Sequence, residues 1–527
     1  MKVLISDKLS EEGKKILAAQ GLEVDDKSGI TPDQLKEIIG EYDGLIIRSA
    51  TKATADIISA AKKLKVIGRA GVGVDNVDVV AATQKGILVM NTPEGNTVST
   101  AQLTFSMLLA LARNIPQACA SMKAGAWEKT KFKGTEVTGK ILGIIGLGRI
   151  GTVVMKYAKA FGMNVIVYDP YLTKERAELL GVTQVSLDEL FAKSDYVTVH
   201  TPLTKDTKGI VNTDAINKMK KGVRIINCAR GGIVDEEALA EGLKSGKVAG
   251  AALDVFTKEP PEGIGLTSLP NLIATPHLGA STAEAQEQVA VDIAHQIADY
   301  LTTGKVLNAI NMPSIDEDTY EKMKPYIMLS EKLGSFTSQA VRGTIKSMDI
   351  YYSGAVNEFD VSSLTRGTVK GFLEPMLEGA VNYINALVIA KERGMRINEI
   401  KTSDSEDFAS LITIKATTEE DGVFTISGSV FGKRMDPRIV RINGYHVDAH
   451  PIGYLLLITN KDTPGAIGKI GTTLGSRGIN ISDMTLGRKA QGEKAVIVLN
   501  IDGAVPDNVI EAVENLEEVV EVTTIHL

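Results

Sequence analysis

The hexapeptide Gly146-Leu147-Gly148-Arg149-Ile150-Gly151 constrains the fold of this chain more than any other stretch. It follows an apolar run at 141–145 and precedes a helical pattern. Glycines at this spacing permit a tight strand-to-helix turn and let a pyrophosphate approach the backbone, where helix-terminal amides donate to it. The next strand pattern ends at Tyr168-Asp169-Pro170, about twenty residues on, where a dinucleotide-binding unit carries its acidic residue. Asp169 can accept both ribose hydroxyls and would repel a 2′-phosphate, so the expected cofactor is NAD rather than NADP.

The unit lies within a longer strand–helix alternation. Strands are expected at 141–145, 164–168, 196–199, 223–227, 250–254 and 271–274, which suits a doubly wound Rossmann domain. A similar series precedes it, with strands at 3–6, 44–47, 65–68 and 87–90, and argues for a parallel sheet covered on both faces. A long helical pattern at 282–302 can return the chain to that first sheet. The expected division is a substrate-binding domain over 1–95, a cofactor domain over 96–281, a return over 282–312, an α+β domain over 317–450 and a tail over 453–527. In the fourth unit a strand is expected at 347–352, a helix at 371–393 and a hairpin from 409–417 and 423–432. The tail reads β-α-β-β-α-β, a ferredoxin-like pattern.

Three polar residues follow separate strands of the cofactor domain. Arg230 follows 225–229, Glu259 lies past 254–256, and His277 follows 273–276. Parallel strands would bring all three to the cofactor edge. Removing hydride from a secondary alcohol needs a base at its hydroxyl, and histidine titrates near neutrality. A carboxylate orients such a ring, and arginine's planar fork holds a substrate carboxylate. Each residue alone reads as structural: a turn arginine, a loop carboxylate, a satisfied histidine. Their joint placement behind the glycine turn favours chemistry. The other five histidines receive no catalytic role, and Cys228 reads as a packing or cofactor-contact residue.

These stretches resemble the D-2-hydroxyacid dehydrogenase family. The resemblance is carried by Gly68-Arg69-Ala70-Gly71-Val72-Gly73-Val74-Asp75-Asn76-Val77-Asp78, the 146–151 turn, His200-Thr201-Pro202-Leu203, Asn227-Cys228-Ala229-Arg230-Gly231-Gly232, and Thr275-Pro276-His277-Leu278-Gly279-Ala280-Ser281-Thr282. Within the family it points to the long members that add an intervening domain and an ACT regulatory domain. It implies a flavodoxin-like substrate domain interrupted by the Rossmann domain, and oxidation of 3-phosphoglycerate to 3-phosphooxypyruvate at the entry to serine synthesis. It also implies Arg230, Glu259 and His277 as the catalytic set. Thr201, Cys228, Ala229, Arg230, Asp254, His277, Leu278, Gly279 and Ala280 would line NAD, beside Gly146, Gly148, Arg149, Ile150, Gly151 and Asp169. Arg48, Arg69 and Asn96 would meet the substrate, although the two arginines also read as ordinary surface cations. Gln102 stands where many relatives carry glutamate, with little expected effect on chemistry.

In the tail, the resemblance implies an L-serine effector site using Asp462 and Asn480, commonly between two subunits. By residue type alone, a helix cap and a turn residue are the favoured reading. Arg438, Arg441 and His450 can gather an anion, and a solvated face is the favoured reading. A homotetramer with contacts through 96–113 is implied, and the lone Trp127 is expected in a core, with contact to a neighbouring subunit as the alternative.

A net charge of −7 argues against a nucleic-acid surface. No apolar run reaches membrane-spanning length. The start Met1-Lys2-Val3-Leu4-Ile5-Ser6-Asp7 reads as neither signal nor transit peptide. Cysteines 119 and 228 offer no disulfide framework or metal spacing. The expectation is a cytoplasmic protein without a metal. Two competing readings are another hydroxyacid dehydrogenase, of the glyoxylate or hydroxypyruvate reductase type, and a non-catalytic NAD sensor.

Overall fold

The computed structural model describes the chain except residues 262–264, 378, 404–406 and 420–421 and the side chain of Glu317. Strands β1 (Lys2–Ile5), β2 (Glu23–Asp26), β3 (Gly44–Ile47), β4 (Val66–Arg69) and β5 (Leu88–Asn91) form a parallel sheet in the order β2-β1-β3-β4-β5. The four apolar strands are those expected. β2, the sequence EVDD, lies at the sheet edge with no buried residue and so carries no apolar run to betray it.

The second sheet holds β6 (Ile141–Ile145), β7 (Asn164–Tyr168), β8 (Thr183–Gln184), β9 (Tyr196–Val199), β10 (Val223–Asn227), β11 (Val248–Leu253) and β12 (Leu272–Ala274). All pairs are parallel, in the order β12-β11-β10-β9-β6-β7-β8. The two-residue β8 extends the six expected strands. The strand order reverses between β6 and β9, which opens a crevice beyond their carboxyl ends.

Two long helices tie the sheets together. Helix Thr97–Arg113 buries Ala101, Phe105, Leu108 and Leu111 against the second sheet. Helix Ala283–Thr303 returns to the first, where Val289, Ile293, Ile297 and Leu301 join Val3, Ile46, Val66 and Met90 in one core. The approach is close: a Cβ on Gly68 would lie 2.8 Å from Ile293 Cγ1.

The third sheet contains β13 (Ile345–Gly354), β14 (Arg396–Thr402), β15 (Ser410–Thr418), β16 (Val423–Phe431), β17 (Asp436–Ile442) and β18 (Tyr445–Ala449), ordered β14-β13-β15-β16-β17-β18. β15 and β16 pair antiparallel where the hairpin was expected, although its turn residues 420–421 lie outside the described residues. The single helix expected over 371–393 is instead two, Ser362–Leu377 and Ala386–Glu392. Gly379 adopts φ 77°, and Asn382 Oδ1 accepts from the amides of Ile384 and Asn385, so a side-chain turn replaces the helical ladder.

The last sheet, β19 (Tyr454–Lys461), β20 (Ile481–Arg488), β21 (Lys494–Ile501) and β22 (Val519–His526), is antiparallel in the order β20-β21-β19-β22. Leu456, Ile458, Leu499 and Val522 pack with Ile470 and Val513 of its two helices. Alternate residues Leu455, Val496, Val498 and Ile525 enter the core of the third sheet. Trp127, expected in a core, is 80% exposed in this single chain, because the helix before it, Ile115–Lys123, buries no residue.

Helices Glu317–Ala340 and Ser362–Leu377 cross at two glycines. A Cβ on Gly371 would fall 2.0 Å from Glu331 O, and one on Gly334 2.0 Å from Thr368 O. Gly371→Ala must force the pair apart and is expected to destabilise the third domain by about 1–3 kcal/mol. Calorimetry should show its transition at lower temperature while NAD affinity stays unchanged.

Candidate active site

The catalytic candidates meet at the crevice of the second sheet. His277 stands on the loop after β12 with φ 57°, a left-handed conformation uncommon outside glycine. The loop is held from below by Asp254, which is fully buried. Asp254 Oδ1 accepts from Thr275 Oγ1 at 2.6 Å and from the Leu278 amide at 2.7 Å, and Oδ2 accepts from the Gly279 amide at 2.8 Å. Ser99 and Thr100 donate to Gly279 O from the neighbouring helix. Asp254, expected only to line the cofactor, thus also shapes the histidine's loop.

His277 Nδ1 donates to Glu259 Oε2 at 2.8 Å, since a carboxylate can only accept. Glu259 Oε1 in turn accepts from the Phe256 amide at 3.0 Å. This chain of bonds leaves Nε2 as the basic nitrogen. Arg230 follows β10, where Asn227 shapes the turn by accepting from the Ala229 amide and donating to Arg230 O. A Cβ on Gly231 would lie 2.0 Å from Phe256 O, so the turn packs directly on the loop that bears Glu259.

Arg69, at the end of β4, enters the same cleft from the first sheet. The cleft, about 340 Å³, is lined by Arg69, Asn96, Thr201, Arg230 and His277 among others. Burial lowers the Arg69 guanidinium to about 10, helped by Arg230 and Arg48 and opposed by Asp75 and Asp7. It remains charged at neutral pH, and its Nε is buried without a hydrogen-bond partner. Arg48 is near enough to act on Arg69, but it is not part of the cleft wall, and its Nη1 donates to Lys8 O. Asn96 Oδ1 and Thr201 Oγ1 are likewise buried without partners.

At the glycine turn, Gly146 has φ 91°, and a Cβ there would lie 2.7 Å from Thr201 Cγ2. A Cβ on Gly151 would meet Gly146 O at 2.3 Å, whereas one on Gly148 would meet nothing within 4 Å. The first and third glycines are therefore required by packing, and the second leaves its space to a ligand. Asp169 Oδ2 accepts from the Leu147 amide at 2.8 Å, which ties the end of β7 to this turn. Ile150, Cys228, Ala229, Gly279 and Ala280 line the cleft, while Leu278 is not part of its wall. Arg149 also lines it, and its Nε lies 3.5 Å from Glu94 on the segment between the sheets. Burial raises the Cys228 thiol to about 12, so it stays protonated and packs against Met107.

Comparison with known proteins gives the family of the chain and the ranges of its domains. A family model for the NAD binding domain of D-isomer specific 2-hydroxyacid dehydrogenases matches residues 105–279. Models for the D-3-phosphoglycerate dehydrogenase intervening domain and for the ACT domain match 322–443 and 454–518. The D-3-phosphoglycerate dehydrogenase of Methanocaldococcus jannaschii is 46% identical over 100% of both chains. That of Bacillus subtilis is 43% identical over 100% of this chain and 99% of its own. The chain belongs to the D-3-phosphoglycerate dehydrogenase family. Among solved structures, a Thermus thermophilus protein matches at a TM-score of 0.55 with 37% identity, covering 59% of this chain and 100% of its own. A glyoxylate reductase from Paecilomyes thermophila matches at 0.55 with 30% identity, covering 59% and 98%. NAD is the cofactor of this domain class, and the open space over Gly148 fits its pyrophosphate.

The two effector candidates do not meet within one chain. Strand register sets Ile481 level with Ile501 and Tyr454, while Lys461 is level with Lys494. Asp462 and Asn480 therefore stand at opposite ends of the sheet, roughly 25 Å apart by strand rise. Each also has a partner: Asp462 Oδ2 accepts from Arg488 Nη1, and Asn480 Nδ2 donates to Asp502 at 2.7 Å. Only a second chain can bring both onto one small molecule. In the third domain, Arg438 pairs with Asp436 and Asp448 while only 22% exposed, so this part of the face expected to be solvated is largely covered.

Several residues that shape the cleft receive no role from the sequence alone. Asp75 pairs with Arg230 Nε at 3.0 Å, and Asp7 accepts from the Arg48 amide at 2.6 Å. His200 also lines the wall, with Nε2 3.1 Å from Thr198 Oγ1 and Nδ1 buried without a partner. Burial lowers its imidazole from 6.5 to about 4. Below 6.5 the unfolded chain takes up a proton that the folded chain refuses, so stability falls as pH drops from 6.5 towards 4. Between pH 7 and pH 5, the native protein should lose roughly 2 kcal/mol more than His200→Gln. Urea unfolding at the two pH values measures this.

Proposed function

We propose that this chain oxidises 3-phospho-D-glycerate at C2 to 3-phosphooxypyruvate with NAD, the first step of L-serine biosynthesis. The observation that carries the substrate choice is Arg69, a half-buried residue whose buried Nε lacks a partner, in the same cleft as Arg230 and His277, which is bonded to Glu259. Arg230 holds the substrate carboxylate and polarises the C2 oxygen. Nε2 of His277 takes the hydroxyl proton, and Glu259 stabilises the imidazolium that forms. Arg69, with Arg48 and Asn96 near it, receives the phosphate. Gly146, Gly148, Arg149, Ile150, Gly151 and Asp169 hold the dinucleotide with Thr201, Cys228, Ala229 and the 277–280 loop. NAD, when bound, supplies the acceptor for the C2 hydride.

The tail supports a regulatory reading in which L-serine binds between ACT domains, using Asp462 of one chain and Asn480 of another, in a cytoplasmic homotetramer. The two free cysteines agree with a reducing compartment.

A substrate panel with NAD tests the assignment. Phosphorylated hydroxy acid should be preferred, and equal or better turnover of glycerate or glycolate would overturn it. Arg69→Ala should raise KM for 3-phosphoglycerate about 10- to 100-fold, the worth of a charged hydrogen bond. His277→Ala should lower kcat at least about 100-fold while NAD binding, followed by fluorescence, is retained. L-Serine should inhibit the native enzyme and lose its grip on Asp462→Ala. Absence of inhibition at millimolar serine would remove the regulatory part alone.

A further inference from the structure

The proposed chemistry assigns Arg230 to the substrate but leaves open what orients its side chain. The geometry points to Asp75, on the loop that follows β4 of the first sheet. Arg230 Nε donates to Asp75 Oδ2 at 3.0 Å, and Nη1 donates to Ala229 O at 2.7 Å. These two bonds set the guanidinium plane and leave three N–H groups for a ligand. Nη2 occupies the space beside Gly73, where a Cβ would lie 1.9 Å from it.

Asp75 is itself firmly placed. Its neighbour Asn76 donates to both Arg48 O and Thr51 O at 2.6 Å. The Thr92 amide donates to Gly71 O at 3.0 Å, and Asn91 Nδ2 donates to Val72 O. The loop from Gly71 to Asn76 is thus fastened to the ends of β3 and β5, and Asp75 reaches from it across the cleft to an arginine of the second sheet.

With side-chain exposures of 75% for Asp75 and 30% for Arg230, the pair contributes little to folding. Its effect is geometric. The bond exists only when the two sheets stand at this separation, so it couples closure of the cleft to the pose of Arg230. We infer that Asp75 is a positioning residue for the proposed oxidation, fixing Arg230 from the opposite domain. This rests on the assignment of Arg230 to substrate made above.

The test is a double-mutant cycle on the full-length enzyme with NAD and 3-phosphoglycerate. Asp75→Asn should lower kcat about 10-fold, a modest orientation effect, with KM for NAD unchanged. In an Arg230→Lys background the same change should cost less than about 2-fold, because the fork it orients is already gone. Asp75→Glu should recover part of the loss. A substrate deuterated at C2 should show a larger isotope effect in Asp75→Asn than in the native enzyme, since the chemical step has been slowed. Additive losses in the cycle, or a native kcat in Asp75→Asn, would overturn the inference while leaving the oxidation assigned above intact. A native enzyme inactive on every phosphorylated hydroxy acid would overturn that assignment, and the inference with it.

Discussion

Two guanidinium groups fill the space that side chains at positions 71 and 73 would need. Arg69 Nη1 lies 1.5 Å from where a Cβ on Gly71 would be, and Arg230 Nη2 lies 1.9 Å from one on Gly73. The two arginines come from different sheets. Desolvation lowers the half-buried Arg69, repulsion from Arg230 adds to it, and Asp75 and Asp7 offset part of that repulsion. The same cleft carries the unpartnered Arg69 Nε and three further unpartnered oxygens, on Asn96, Thr97 and Thr201. The glycines of this loop therefore make room for the two cations, which any larger residue would displace.

The opposite wall is built on a different support. Asp254 lies buried at the end of β11 and fastens both sides of the His277 turn, while Glu259 is held by the Phe256 amide. His277 and Glu259 thus stand beside one sheet edge, and Arg69 stands at the end of a strand in the other sheet. The chain passes between the two domains through the segment before Thr97 and the segment before Ala283, and both lead into helices with buried faces.

The carboxyl-terminal half is joined to this machinery by apolar contact. The tail sheet shares a core with the third sheet, and Ile384 of the third domain is buried in the core beneath the first sheet. Asn382 adds a hydrogen bond to Gly86 O at 2.8 Å. A continuous packed path thus runs from the tail to the domain that holds Arg69.

Much of this was legible in the chain itself. The apolar runs of the parallel strands, the glycine turn with Asp169, and the placement of Arg230, Glu259 and His277 after strands all follow from local spacing, because strand and turn geometry is encoded within a few residues. Edge strand β2 was not legible, since an exposed strand needs no apolar run. The break in the expected 371–393 helix turned on asparagine side chains competing for backbone amides. The exposure of Trp127 and the separation of Asp462 from Asn480 depended on which surfaces the fold covers and how strands align. Asp75 meets Arg230 across 155 residues of chain, and no local pattern marks such a pair. The sequence by itself determined the cofactor turn, the order of the strands' chemistry and the residue types available. Only the tertiary structure decided which of those residues face each other, because that depends on how two separately built sheets pack across one cleft.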